Sequence, residues 1–306
     1  MINKAGNKLI LLLGLLISSV SVSAQQYDTG ACIIKYPSRQ SDKDTRNDYP
    51  VELLTAALKA TEKEYGACKL AGVGPMNQKR AIKSVIDNKI DIAWVPATAN
   101  NNKVLSPIKV PLRKGLLGWR LLLVNESDVS KFSEVDTLAE LSEFKTGFGA
   151  DWQDLPVMQK NFDPVVLSNT YEQLFKLLHK KRFEFFSRGL HEAWDEIEYH
   201  KADDYQFAVL GHIMLRYKAV DLFYVNKQNK QLQKRLSKGM NKIIINGTFN
   251  DLFYSYYSYF IDTANINLKT VIELENPNFP DDVAFKDPQL WFQLTDYRVK
   301  NSETPE

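Results

Sequence analysis

The chain has 306 residues, of which 44% are hydrophobic, and a formal net charge of +2. That length suits one large domain or two smaller lobes. The first 24 residues read as a cleaved secretory signal, because Lys4 and Lys8 precede an apolar run that ends in the small residues Val22-Ser23-Ala24. A retained membrane anchor is the alternative, although the apolar run is short for a spanning helix. We therefore expect a periplasmic protein.

The charge of the mature chain is balanced. Cleavage after Ala24 removes two lysines and no acids, which leaves 39 − 2 = 37 basic against 37 acidic residues. This balance gives no support for nucleic acid or an anionic membrane as the partner. Cys32 and Cys68 are the only cysteines, and in an exported chain they predict one disulfide, with two buried free thiols as the alternative.

Strands and helices alternate in the first third of the chain. The predicted order is a strand, a helix that begins with Asp48 as its N-cap, a second strand, a helix opened by Asn77 and a third strand. The corresponding segments are ACIIKYP, DYPVELLTAAL, CKLAGV, NQKRAIKSVI and IDIAWVP. This order favours a parallel sheet.

A second alternating set follows the run GLLGWRLLLVN. It predicts a short helix DTLAELSEF, a strand in KTGFGADW, a strand PVVLS, a helix TYEQLFKLLHKK capped by Ser168 or Asn169, a strand RFEFFS and a helix LHEAWDEIEYH. The chain crosses between the two sets near residues 117–121 and 210–216. We therefore predict an α/β protein in which residues 25–120 and 214–306 form lobe 1 and residues 121–213 form lobe 2. Ligands of such folds lie in a crevice beyond the carboxyl ends of the strands.

Common catalytic and cofactor motifs are missing. GVGPMN fails as a dinucleotide fingerprint because Asn77 stands where the third glycine should be. HEAWD lacks the second histidine of a zinc protease, and all four histidines lie between residues 179 and 212 without metal-ligand spacing. We expect no metal, no cofactor and no enzymatic activity.

Three segments, in this order, resemble bacterial periplasmic solute-binding proteins of family 3. They are ACIIKYPSRQSDKDTRNDYPVELLTAAL, AIKSVIDNKIDIAWVPAT and VNKQNKQLQKRLSKGMNKIIINGTFNDLF. The resemblance spans most of residues 31–260 and implies the type II periplasmic-binding fold with a ligand cleft between two lobes. Many members of that family carry amino acids to ABC transporters. The run from Val110 to Val124 points to an atypical branch.

This chain departs from the amino-acid carriers at both halves of their ligand clamp. Those carriers follow the third strand with a Thr-x-x-Arg segment whose arginine grips the ligand carboxylate, but here the segment is Ala97-Thr98-Ala99-Asn100-Asn101-Asn102. They also place an aspartate after a lobe 2 strand to hold the ligand ammonium, and the aligned residue here is Arg188. An ordinary free amino acid is therefore a poorer candidate than an anionic or otherwise zwitterionic solute.

Arg188 is the residue that the pattern singles out. It follows the buried strand RFEFFS and precedes a helix. A guanidinium there can hold a carboxylate or phosphate through two parallel hydrogen bonds, and the following helix N-terminus adds partial positive charge. The alternative is an internal salt bridge, for example to Glu192.

Other strand ends supply further candidates for ligand contact. Some have a structural alternative: core packing for Trp94, an ion pair for Arg120 and a helix cap for Asp151 and Ser168. The proposed set is Tyr36, Ser38, Arg39, Trp94, Thr98, Arg120, Asp151, Trp152, Ser168 and Arg188. Arginines suit anions, and the aromatic rings suit stacking.

The sequence predicts a monomeric binding protein that captures a small organic ligand for an inner-membrane ABC permease. Two alternatives stay open. One is the same fold used as the sensing module of a membrane signalling protein. The other is an enzyme on this fold, similar to the cyclohexadienyl dehydratases, with Glu192 or Asp151 as its acid or base.

Overall fold

The computed structural model describes residues 32–39, 47–281, 285 and 287–294. The predicted signal segment lies outside these residues. Cys32 and Cys68 are joined by a disulfide. None of the helices in the described part of the chain has the length and apolarity needed to cross a bilayer.

Twelve strands lie in the described ranges. They are β1 Cys32–Ser38, β2 Cys68–Pro75, β3 Ile92–Pro96, β4 Ser106–Ile108, β5 Trp119–Asn125, β6 Thr146–Gly149, β7 Val165–Ser168, β8 Phe185–Gly189, β9 Phe207–Val209, β10 Ile213–Arg216, β11 Asp221–Val225 and β12 Thr270–Glu273.

Ten α-helices connect or flank these strands in the same ranges. They are α1 Asp48–Ala60, α2 Glu62–Tyr65, α3 Gln78–Ile86, α4 Ala99–Val104, α5 Leu138–Leu141, α6 Leu155–Asn161, α7 Tyr171–His179, α8 Ala193–His200, α9 Lys230–Ile245 and α10 Thr248–Ala264.

The helices begin near the predicted capping residues, but two of the N-caps differ from the predicted residue by one or two positions. Asn77 caps α3 as predicted, since its side chain accepts a hydrogen bond from the backbone N–H of Arg80. The N-cap of α1 is Asn47 rather than Asp48, which is the first residue of the helix. The N-cap of α7 is Thr170 rather than Ser168 or Asn169, because Ser168 is still part of strand β7.

The strands form three sheets. β1 and β2 pair in parallel, and β11 pairs antiparallel with both β3 and β4. The largest sheet has the order β12-β10-β5-β8-β6-β7, with β9 paired to β5. The predicted parallel sheet of the first three strands is therefore only partly formed. β1 and β2 pair as predicted, whereas β3 pairs with β11, which returns later in the chain. A contact from the backbone N–H of Lys35 to Asp91 Oδ2, 2.7 Å, joins β1 to the start of β3.

β5 carries the chain into the largest sheet and is buried along its whole length. Its side chains alternate between two apolar clusters: Leu121 and Leu123 belong to one, and Leu122 and Val124 to the other. Successive residues of a strand point to opposite faces, so both faces of this sheet are covered.

The strands of each sheet can be compared with the predicted lobe boundaries. The two smaller sheets use strands from residues predicted for lobe 1, and β6, β7, β8 and β9 come from lobe 2. β10 and β12 also join the largest sheet, and Ile272 and Leu274 pack in its second apolar cluster. Residues 270–274 thus lie with the larger sheet although they follow the predicted return to lobe 1. The lobe boundaries themselves stay a prediction.

Candidate functional site

Tyr36 of β1 and Trp94 of β3 form an aromatic pair. Their ring centroids are 5.9 Å apart, and both residues are half-buried. Trp94 Nε1 donates a hydrogen bond of 3.1 Å to Asn47 Oδ1, and its ring also packs edge-on against Phe223. The pair therefore combines core packing with partial access to solvent, as ligand stacking would need.

The other candidates of lobe 1 have partners within the chain. Arg39 forms an ion pair of 2.5 Å with Asp48, and both side chains are partly exposed. The carbonyl of Ser38 accepts a hydrogen bond of 3.3 Å from Asn47 Nδ2. Thr98 caps α4, with its Oγ1 accepting from the backbone N–H of Asn101 at 3.1 Å.

Two contacts join α3 and α4 to the loop that follows β6. Lys79 and Asp151 form an ion pair between exposed side chains. Asn101 Nδ2 donates to Pro96 O at 2.8 Å and to Gln153 Oε1 at 2.7 Å. These contacts connect residues predicted for different lobes. Sequence reasoning missed Asn101 and Gln153. The one sequence signal for Asn101 is its position three residues after Thr98, a potential helix cap. Its neighbours Asn100 and Asn102 lack that spacing.

Trp152 lies over the carboxyl end of β6. Its ring stacks on Phe186 at 6.1 Å and meets Phe148 edge-on at 4.9 Å. Gly149 makes this position available, because a Cβ atom on Gly149 would lie 2.5 Å from the indole ring. At the end of β7, Ser168 Oγ donates to Thr170 O at 3.0 Å and accepts from its N–H at 3.3 Å. Ser168 therefore shapes the turn before α7.

Arg188 is buried, with 4% of its surface exposed. Its Nε and Nη2 atoms donate to the two carboxylate oxygens of Glu196, at 2.7 and 2.5 Å. Nη2 also lies 3.1 Å from Glu192 Oε2, so the ion pair that the sequence offers as the alternative is present. Burial opposes the charge of Arg188, but the two glutamates outweigh it and raise the pKa. The ligand contact of Arg188 stays a prediction.

Arg120 has a different environment from Arg188. It is 5% exposed, and the acceptors of its guanidinium are backbone carbonyls: Leu117 O at 3.4 Å and Ser187 O at 3.2 Å. Its Nε is buried with no hydrogen-bond partner among the described residues. Arg120 sits on β5 opposite Gly189 of β8 and Leu215 of β10. The structure thus places a buried cation with unused donor capacity where the chain crosses between the predicted lobes.

Comparisons with known proteins identify the fold. Neither a protein-family model nor a curated protein matches this chain. An ancestral arginine-binding protein solved with arginine is 15% identical with a TM-score of 0.54, over 74% of this chain and 98% of its own. An arginine-bound substrate-binding protein of an amino acid ABC transporter from Streptococcus pneumoniae is 13% identical with a TM-score of 0.53, over 75% and 94%.

A third structure, described as an arginine-specific periplasmic binding protein of Salmonella typhimurium, is 14% identical with a TM-score of 0.53, over 74% of this chain and 100% of its own. The chain has the type II periplasmic-binding fold. The predicted fold class is confirmed, and these structural neighbours belong to the class of proteins that the sequence resembles.

His191 is expected to make the stability of the fold depend on pH. Burial lowers its pKa to about 4 from 6.5, with Arg113, Arg120 and Arg188 acting in the same direction and Glu192 opposing them. The ring packs against Tyr257, and its Nδ1 has no described partner. Between about pH 6.5 and 4 the unfolded chain binds a proton that the folded protein does not, so stability falls as the pH drops.

We expect His191 to cost about 2–3 kcal/mol of unfolding free energy between pH 7 and pH 4. Urea unfolding of the wild type and of His191→Gln at matched pH values measures this, and the variant should show a shallower loss. Burial alone would raise the pKa of Glu192, but Arg188 and His191 hold it well below its ordinary range, so Glu192 contributes to acid lability only below about pH 4.5. Equal pH slopes for the two proteins would contradict the assignment to His191.

Proposed function

We propose that the protein captures a small anionic or zwitterionic organic solute in the cleft between its lobes and presents it to an ABC permease in the periplasm. Arg120 carries the proposal, because its buried Nε has no acceptor among the residues that the structure describes. A buried donor without an acceptor costs about 1–3 kcal/mol. A carboxylate on the ligand would satisfy Arg120 and neutralise its charge.

Gln153 contains a second buried donor without a described partner, and this donor supports the same ligand chemistry. Gln153 accepts from Asn101 through Oε1, while its Nε2 is buried without a described partner. Both Arg120 Nε and Gln153 Nε2 are donors. Acceptor oxygens on a ligand would satisfy either donor, which favours a carboxylate over an amine.

The remaining candidates of the sequence complete the proposed site. Trp94, Tyr36 and Trp152 would offer ring faces to the apolar part of a ligand. The polar residues would set its orientation, in part by giving up internal contacts: they are Ser38, Arg39, Thr98, Asp151, Ser168 and Arg188. The structural neighbours bound to arginine support an amino-acid-like solute, although the altered clamp favours one with a different distribution of charge.

Transport and sensing would use the same binding step. The neighbours that belong to amino acid ABC transporters support a permease as the partner, and the predicted signal segment supports export. Co-purification with an inner-membrane permease or with a membrane receptor separates the two roles. Recovery of the bound ligand chemically unchanged after incubation would argue against the dehydratase alternative.

The test is a calorimetric titration of residues 25–306 with mono- and dicarboxylates, amino acids and amines, preceded by thermal-shift screening. We expect a carboxylate to bind and Arg120→Met to weaken it by roughly 100-fold, since charge-assisted hydrogen bonds are lost. The control is Arg216→Met, which removes an exposed surface arginine paired with Glu273 and should leave affinity unchanged. Binding of an amine alone, or equal affinity in both variants, would overturn the proposal.

A further inference from the structure

We propose that lobe 2 contains a guanidinium-binding cage that the chain fills with its own Arg188. Two carboxylates and three aromatic rings surround this side chain, and that combination is the chemistry that recognises a planar cation. The cage stands on the contacts of Arg188 alone, while its consequence for ligand choice rests on the proposed function.

The carboxylates of the cage also accept hydrogen bonds from groups other than the guanidinium. Glu196 receives a hydrogen bond of 2.7 Å from the hydroxyl of Tyr171, in addition to the two from Arg188. Glu192 Oε2 accepts from the backbone N–H of Gly189 at 2.8 Å. Both acids are therefore oriented by groups other than Arg188, and these groups remain when the arginine side chain is removed.

The rings of the cage come from three different segments. The guanidinium carbon of Arg188 lies 4.9 Å from the ring centroid of Phe186, 5.1 Å from that of Trp152 and 5.6 Å from that of Tyr171. Trp152 and Phe186 are close to parallel, with 16° between their planes. Rings at these distances attract a desolvated cation.

The geometry is selective for a guanidinium over an ammonium. Arg188 contacts Glu196 through Nε and Nη2 together, so two parallel hydrogen bonds join the flat cation to one carboxylate. An ammonium is a compact point charge that cannot form this fork or lie flat against several rings. The cage therefore recognises the shape of the cation as well as its charge.

The cage lies at the ligand edge of the sheet. Trp152 follows β6, Tyr171 follows β7 and Arg188 ends β8, and β6 is parallel to both of its neighbours. Carboxyl ends of parallel strands meet at one edge, where ligands of α/β folds bind. Because Arg188 already engages Glu192 and Glu196, a cationic ligand group finds no free carboxylate there. This occupancy excludes guanidinium-bearing solutes from the lobe 2 side of the cleft.

The experiment is chemical rescue of Arg188→Gly. We expect this variant to melt well below the wild type and to regain about 2–4 °C in the presence of low-millimolar methylguanidine. Methylammonium at the same ionic strength should give no gain, and neither compound should stabilise the wild type, whose cage is full. Refolding yield from urea with each compound replaces the melting curve if Arg188→Gly does not fold unaided.

Two further variants test whether the cage is responsible. The double variant Arg188→Gly/Glu196→Gln should lose the rescue, because the fork then lacks its carboxylate. Arg188→Lys should melt below the wild type and gain nothing from methylguanidine, since its own ammonium occupies the space. Equal effects of methylguanidine and methylammonium, or rescue that survives in the double variant, would overturn the proposal.

This result is independent of the solute that the wild type binds. A failed rescue with intact carboxylate binding rejects the cage and leaves the proposed function standing. Successful rescue in a protein that binds no carboxylate supports the cage and rejects the proposed function.

Discussion

Asp221→Asn should destabilise the protein by about 3–5 kcal/mol, since it removes one partner of a buried ion pair with Arg113. Both side chains of this ion pair are less than one-tenth exposed. Arg113 also donates to the hydroxyl of Tyr257 at 2.8 Å. Asp221 begins β11 and its carbonyl accepts from the backbone N–H of Leu112 at 3.0 Å. The pair thus ties the segment before β5 to β11 and to α10.

The matched control is Asp151→Asn, which makes the same chemical change in the exposed ion pair with Lys79. Exposed pairs contribute about 0–1 kcal/mol, so urea unfolding of the two variants should differ several-fold in the change of free energy. The double variant Asp221→Leu/Arg113→Met should recover part of the loss, because it removes both charges of the buried pair. A loss of less than 1 kcal/mol in Asp221→Asn would show that Arg113 is solvated or neutralised in another way.

The order of elements could be predicted because it depends on local patterns. Apolar runs such as IDIAWVP and helix caps such as Asn77 can be recognised from the local sequence. From them we predict that the strand ends lie at one edge of the fold. Boundaries were less accurate. The strand predicted over RFEFFS begins at Phe185 and continues through Arg188 to Gly189, while Phe183 stays outside it and packs where a side chain on Gly147 would lie.

The partners of the candidate residues could not be predicted in the same way. Arg188 forms its bidentate contact with Glu196, eight residues on, and not only with Glu192, which the helical spacing of four suggests. The fork depends on the chain turning between β8 and α8. Tyr171 reaches the same carboxylate from another segment. Contacts of this kind depend on tertiary geometry, which a single sequence does not contain.

Arg120 also shows that the sequence can indicate an unusual residue without predicting its partners. The apolar residues beside it in GWRLLLVN predict that it is not an ordinary solvated arginine, and it is buried. Its bonding to two carbonyls and its unused Nε follow only from the placement of β8 and the segment before β5. The sequence thus predicts an unusual arginine, and the structure adds its buried Nε without a described partner, on which the proposed anion contact rests.

Gly118→Ala should cost about 3 kcal/mol or more, because the new methyl group would meet backbone rather than a side chain that can move. A Cβ atom on Gly118 would lie 1.9 Å from the carbonyl oxygen of Tyr217. The backbone N–H of Tyr217 donates to Gly118 O at 3.1 Å, so the two segments run side by side. These are the two places where the chain crosses between the predicted lobes, and the methyl group would push them apart.

Gly211→Ala is the control on the second crossing, because a Cβ atom there meets no atom of the described residues within 4 Å. Urea unfolding should show a change of about 0.5 kcal/mol or less for Gly211→Ala and the large loss for Gly118→Ala. Hydrogen exchange adds the location: the amides of β5 and β10 should lose protection in Gly118→Ala, since those strands follow or adjoin the contact. Equal stability of the two variants would mean that the crossings can separate without cost, and that lobe geometry is set elsewhere.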